Sequence, residues 1–196
     1  MTSVDLGPAT RRLADLIGGI PAELLDGPTP CADTSVAALL DHVGGLTKSF
    51  TAAATKATGA LGSPAPPADA PRLADDWRTR IPRDLEALAE AWRQPEAWSG
   101  MTQAGGVDLP GEVAGVVALD EVVIHGWDLA RATGQDYQCD EASLEAVHGF
   151  VSQFAGVSPE ERPAGLFGPQ VDVPDDAPLL GRVLGLTGRD PAWTRD

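Results

Sequence analysis

Val116-Val117-Ala118-Leu119-Asp120-Glu121-Val122-Val123-Ile124-His125-Gly126-Trp127-Asp128-Leu129 is the stretch that decides the fold. Extended from about Glu112 to Ala132, it places apolar side chains around most of a helical circumference, with Val113, Val116, Val117, Leu119, Val122, Val123, Ile124, Trp127 and Leu129. A helix apolar on nearly every side is a buried one. Set into it are Asp120, Glu121, His125 and Asp128. Charge inside a buried helix is costly unless it is paired or bound to a cation. Gly134 is placed to stop the helix.

Working outward, the flanking segments predict further helices. The first runs from about Gly7 to Ile20, with Pro8 in its first turn and Leu13, Leu16 and Ile20 at helical spacing. A turn-rich loop, Asp26 to Cys31, follows, and Asp33 or Thr34 is a candidate cap for the next helix. That second helix is expected from about Ser35 to Thr58, on a stripe of Val36, Leu39, Leu40, Val43, Leu46 and Phe50, with His42 at its edge. Residues 59–71, rich in Pro and Ala, read as a mobile linker or surface loop. A third helix is expected from about Arg72 to Arg93, with Pro82 as a kink or a start.

Pro95 to Gly111 reads as irregular, Asp140 to Phe154 as a fifth helix, Ser158 to Pro178 as mostly loop, and Leu179 to Leu186 as a short last helix. The sum is an all-α protein, a helical bundle with short additional helices near the C-terminus, in one domain spanning residues 1–196.

Composition narrows function. The chain has 196 residues, enough to bury a core without disulfides, and 43% of them are apolar, too many for disorder. The formal net charge of −15 removes the basic footprint that phosphate backbones need, so nucleic-acid binding is not expected, and anionic membrane surfaces should repel the chain. The two cysteines, Cys31 and Cys139, fit neither a CxxC redox site nor a zinc ribbon. With no signal-peptide pattern and no apolar run long enough to span a bilayer, the expected location is cytoplasmic.

Glu121 and His125 stand four residues apart, so their side chains share a helix face about one turn apart, and Asp128 continues the same arc. The spacing alone fits a hydrogen-bonded pair as well as two ligands of a divalent ion. A third ligand would have to come from another helix. Of the three histidines, His42 is the best placed, while His148, beside Val147 and Phe150, reads as structural. Two imidazoles and one carboxylate would leave a coordination position open. Asp128 is either a partner that fixes the His125 tautomer or a surface partner of Arg131. Trp127 reads as core packing, and Cys31 as a loop thiol near a helix N-terminus.

Longer signatures carry a resemblance. Thr29-Pro30-Cys31-Ala32-Asp33-Thr34-Ser35-Val36 and Leu39-Leu40-Asp41-His42-Val43-Gly44-Gly45, together with Glu121 to Gly134, resemble the two signatures of mycothiol-dependent maleylpyruvate isomerase-like proteins of the DinB superfamily. Pro174-Asp175-Asp176-Ala177-Pro178 and Leu186-Thr187-Gly188-Arg189-Asp190-Pro191 resemble a single-domain, metal-binding subgroup.

The resemblance implies a DinB-like four-helix bundle holding one divalent metal, zinc or nickel, through His42, Glu121 and His125. It further implies a low-molecular-weight thiol such as mycothiol as cosubstrate and transfer of that thiol to a small electrophile. A non-catalytic metal- or ligand-binding protein and a metal-dependent hydrolase are the alternatives, and a homodimer is left open. The isomerase itself carries an added C-terminal domain for which this length leaves no room, so maleylpyruvate isomerisation is not expected.

Overall fold

The computed structural model describes residues 3–57, 73–157 and 167–195. The Pro-rich stretch read as a linker, and the first part of the loop expected after the fifth helix, lie outside these residues.

Among the described residues, six α-helices dominate. In chain order they are α1 (Gly7–Gly18), α2 (Val36–Ala54), α3 (Trp77–Trp92), α4 (Gly111–Thr133), α5 (Glu141–Val151) and α6 (Leu179–Leu186). The first four form the bundle. α1 and α2 each pack against both α3 and α4, so α1 faces α2, and α3 faces α4, across the centre. Leu13, Ile17, Leu40, Val43, Ile81, Leu85, Leu119 and Val123 fill that centre.

α4 is buried along most of its length because the bundle covers one side of it while α5 and a small hairpin cover others. This is the physical reason for its continuous apolar sequence. Trp127, expected as packing, is buried here.

Local chemistry sets the ends. Ser35, neither Asp33 nor Thr34, caps α2, its hydroxyl accepting the Ala38 N–H at 3.2 Å. α2 stops at Ala54, short of the expected Thr58, and Lys56 follows in a left-handed conformation that cannot continue a helix. α3 begins at Trp77, later than expected, and Pro82 lies inside it. Gly134, at φ +71°, ends α4 as anticipated. The Asp140 carboxylate caps α5 through the Ser143 N–H, and the last turn expected of this helix is instead a 3-10 turn, Ser152–Phe154.

The stretch from Pro95 to Gly111, expected to be irregular, is ordered. A 3-10 turn, Pro95–Trp98, leads into a hairpin of β1 (Met101–Ala104) and β2 (Val107–Pro110). Its two turn residues, Gly105 and Gly106, both take positive φ, as the tight two-residue hairpin turn requires. Thr102 anchors the hairpin to the bundle, its hydroxyl donating to the Ala53 carbonyl at the end of α2. Among the described residues, no helix is long and apolar enough to cross a membrane.

Candidate metal centre

His42 lies in the second turn of α2, and Glu121 and His125 lie one turn apart on α4. The α2–α4 packing brings the three side chains together. His125 Nε2 lies 2.9 Å from Glu121 Oε2, and His42 Nε2 lies 3.8 Å from that same oxygen. The two imidazole rings meet edge to face, with centroids 5.0 Å apart. One ligand-type atom from each residue falls within 4.8 Å of the others, and among the described residues this is the one such grouping of His, Cys, Asp and Glu.

Burial across the set is uneven. The His125 side chain is 7% exposed and that of Glu121 20%, whereas His42 is 48% exposed. The grouping is therefore rooted in the bundle and open to solvent on the α2 side.

Behind it lies a second layer. Asp128, fully buried, accepts from His125 Nδ1 at 3.0 Å. The same carboxylate is gripped by Arg189, whose Nε lies 3.3 Å from Oδ1 and whose Nη2 lies 3.0 Å from Oδ2. Of the two roles open to Asp128, the geometry thus selects the one that orients His125. Arg131 turns elsewhere and donates to the Trp193 carbonyl.

Arg189 did not emerge from the sequence as a site residue. The only signal was its place in the Leu186-to-Pro191 motif. Its position follows from the end of α6. There Gly188, at φ +81°, lets the Arg189 N–H return to the Leu184 carbonyl and the Gly188 N–H to that of Gly185.

Electrostatics show what the grouping does without a cation. Burial disfavours charge on His125, but hydrogen bonds with Asp128 and Glu121 outweigh it and raise its pKa to about 10. Burial likewise works against the Glu121 carboxylate, yet its contacts with His125 and His42 hold it well below the usual range. The centre is then an imidazolium between two carboxylates.

The donor set also fits a divalent ion. Both Nε2 atoms converge on one carboxylate oxygen, and Asp128 occupies the opposite nitrogen of His125, the arrangement that leaves Nε2 free as a ligand. Asp120 is different. It is buried, one carboxylate oxygen lacks a hydrogen bond, and burial followed by the nearby Glu121 charge push it well above its ordinary pKa, towards the neutral form.

The remaining candidates are not members of this grouping. His148 on α5 is half-buried and pairs with the Ser152 hydroxyl at 3.3 Å. Cys31 and Cys139 are both free thiols. Cys31 contacts the Thr34 hydroxyl, while burial first and then Asp140 push Cys139 up to about 12.

Known proteins resemble this chain in sequence or in fold. Two uncharacterized proteins from two strains of Mycobacterium tuberculosis are each 27% identical over 177 residues, covering 90% of this chain and 91% of theirs. The crystal structure of the mycothiol-dependent maleylpyruvate isomerase superposes with a TM-score of 0.55 at 17% identity, over 74% of this chain and 66% of that one. A histidine-to-alanine variant of that enzyme gives a TM-score of 0.54 at 16% identity. At such identities the likeness establishes the bundle fold. The family described as the mycothiol maleylpyruvate isomerase N-terminal domain matches residues 6–130, a span that contains His42, Glu121, His125 and Asp128. The chain belongs to the mycothiol maleylpyruvate isomerase N-terminal domain family.

Proposed function

We propose that this protein binds one divalent metal, zinc or nickel, through His42, Glu121 and His125, and transfers a small mycothiol-type thiol to a small electrophile. The observation that carries the reading is the convergence of both Nε2 atoms on Glu121 Oε2, with buried Asp128 on the far nitrogen of His125. Family membership adds the thiol, since the related isomerase is mycothiol-dependent.

Each residue has a definable task. Glu121 brings the one negative charge of the donor set, and His42 and His125 bring neutral nitrogens. Asp128 accepts the Nδ1–H of His125, which fixes the tautomer and keeps the Nε2 lone pair turned towards Glu121. His42, exposed to solvent, lies on the side from which a thiol and an electrophile can approach. When bound, a divalent ion supplies a positive centre that lowers the pKa of a coordinating thiol and favours its thiolate at neutral pH.

The hydrolytic alternative is weaker. Asp128 is committed to His125 and Arg189, and Asp120 is held towards its neutral form, so neither is placed as a general base.

The test is turnover of a chromogenic electrophile by zinc-loaded protein, with and without an added low-molecular-weight thiol. Thiol-dependent turnover that is lost in Glu121→Gln is the expected result. Turnover without thiol would move the assignment to hydrolysis. No turnover with a bound metal would leave a binding protein.

A further inference from the structure

Arg189 lies beyond the span matched by the family, in the segment that follows α6, yet it reaches Asp128, directly behind the candidate metal centre. Its guanidinium forks across both oxygens of Asp128, and its remaining nitrogen, Nη1, donates to the Thr187 carbonyl at 3.1 Å. Asp128 is fully buried, and its two ion-pair partners among the described residues are His125 and Arg189. A buried carboxylate with no cationic partner is strongly unfavourable.

The two partners are not equivalent once a metal enters. A histidine that ligates a cation through Nε2 cannot also carry a proton there, so it stops being a cation itself. Arg189 is then the protein cation left to hold Asp128.

We propose that Arg189 is a positioning residue of the metal centre: through its forked contact with Asp128 it holds the His125 ring in ligating orientation and balances the buried carboxylate. This rests on the metal reading given above. It makes the C-terminal segment part of the site and predicts that losing Arg189 harms the metal-loaded protein more than the metal-free one. A purely structural tie would harm both alike.

The same segment supplies controls. Arg131 donates to the Trp193 carbonyl and Arg195 to the Ala132 carbonyl, ties between α4 and the C-terminal residues that do not touch Asp128.

The experiment measures zinc affinity, by competition with a chromophoric chelator, for wild type, Arg189→Gln, Arg189→Lys and Arg131→Gln, with melting temperatures taken with and without zinc. Arg189→Gln should bind zinc more weakly by up to about 10-fold, the lower end of the range found when the outer partner of a ligating histidine is itself lost, because Asp128 stays in place without its clamp. Arg189→Lys, which keeps the charge but cannot fork, should fall between Arg189→Gln and wild type. Arg131→Gln should lower the melting temperature and leave zinc affinity unchanged.

If Arg189→Gln does not fold, Arg189→Lys carries the test, and wild-type affinity in that variant overturns the proposal. Wild-type affinity in a folded Arg189→Gln, or an equal loss in Arg131→Gln, overturns it while leaving the metal reading intact. A wild-type protein that takes up neither zinc nor nickel removes both.

Discussion

Zinc binding should expel a proton, and the number is set by His125. In the metal-free protein its pKa is raised to about 10, because Asp128 and Glu121 outweigh the effect of burial. At pH 7.5 the ring is almost wholly protonated. A metal that takes Nε2 must displace that proton, so zinc uptake should release about one proton per chain. Apparent affinity should rise about tenfold per pH unit between roughly pH 7.5 and 8.5, since each unit removes about 1.4 kcal/mol of competition from the proton. Calorimetry in buffers of different ionisation enthalpy counts the protons directly. Heats that do not depend on the buffer, or an affinity flat across this range, would refute the reasoning that a histidine caged by two carboxylates becomes a ligand.

Three further outcomes are expected. His42→Ala and His125→Ala should each lose most zinc affinity, and Glu121→Gln should weaken it, whereas His148→Ala, outside the donor set, should bind as wild type in the same titration. The metal-free protein should fold, and its melting temperature should drop at both ends of the pH scale. The His125 pair contributes fully below about pH 6.5 and is lost as pH rises towards 10, while Glu121 contributes above about pH 4.5 and is lost in acid. A melting temperature that climbs from pH 7 to 10 without metal would contradict this. Gly115→Ala should cost about 1–3 kcal/mol in urea denaturation, as overpacked cores do, because its Cβ would lie 2.6 Å from the Trp98 ring and 2.8 Å from that of Trp92.

The bundle was legible because each of its helices carries a long periodic or continuous apolar pattern, and α4 announced its central position by being apolar all round. The i,i+4 relation of Glu121 and His125 was legible for the same reason, since both lie on one regular element. The hairpin was not. Its strands are four residues each, too short for alternation to register, and the available signal was the Gly105-Gly106 pair. The partner of Asp128 was equally hidden. Arg189 lies 61 residues further along, and only the turn after α6 brings it back to α4. Spacing pointed instead to Arg131, three residues away, which the fold sends to Trp193.

The most direct test of the metal centre is the metal content of protein purified without chelator, measured again after zinc or nickel is restored, for wild type and for a His42→Ala, His125→Ala double variant. The expected result is about one ion per wild-type chain and none retained by the folded double variant. A wild-type protein that accepts neither metal, or a double variant that holds one ion as tightly as wild type, would contradict the assignment of His42, Glu121 and His125 as the site.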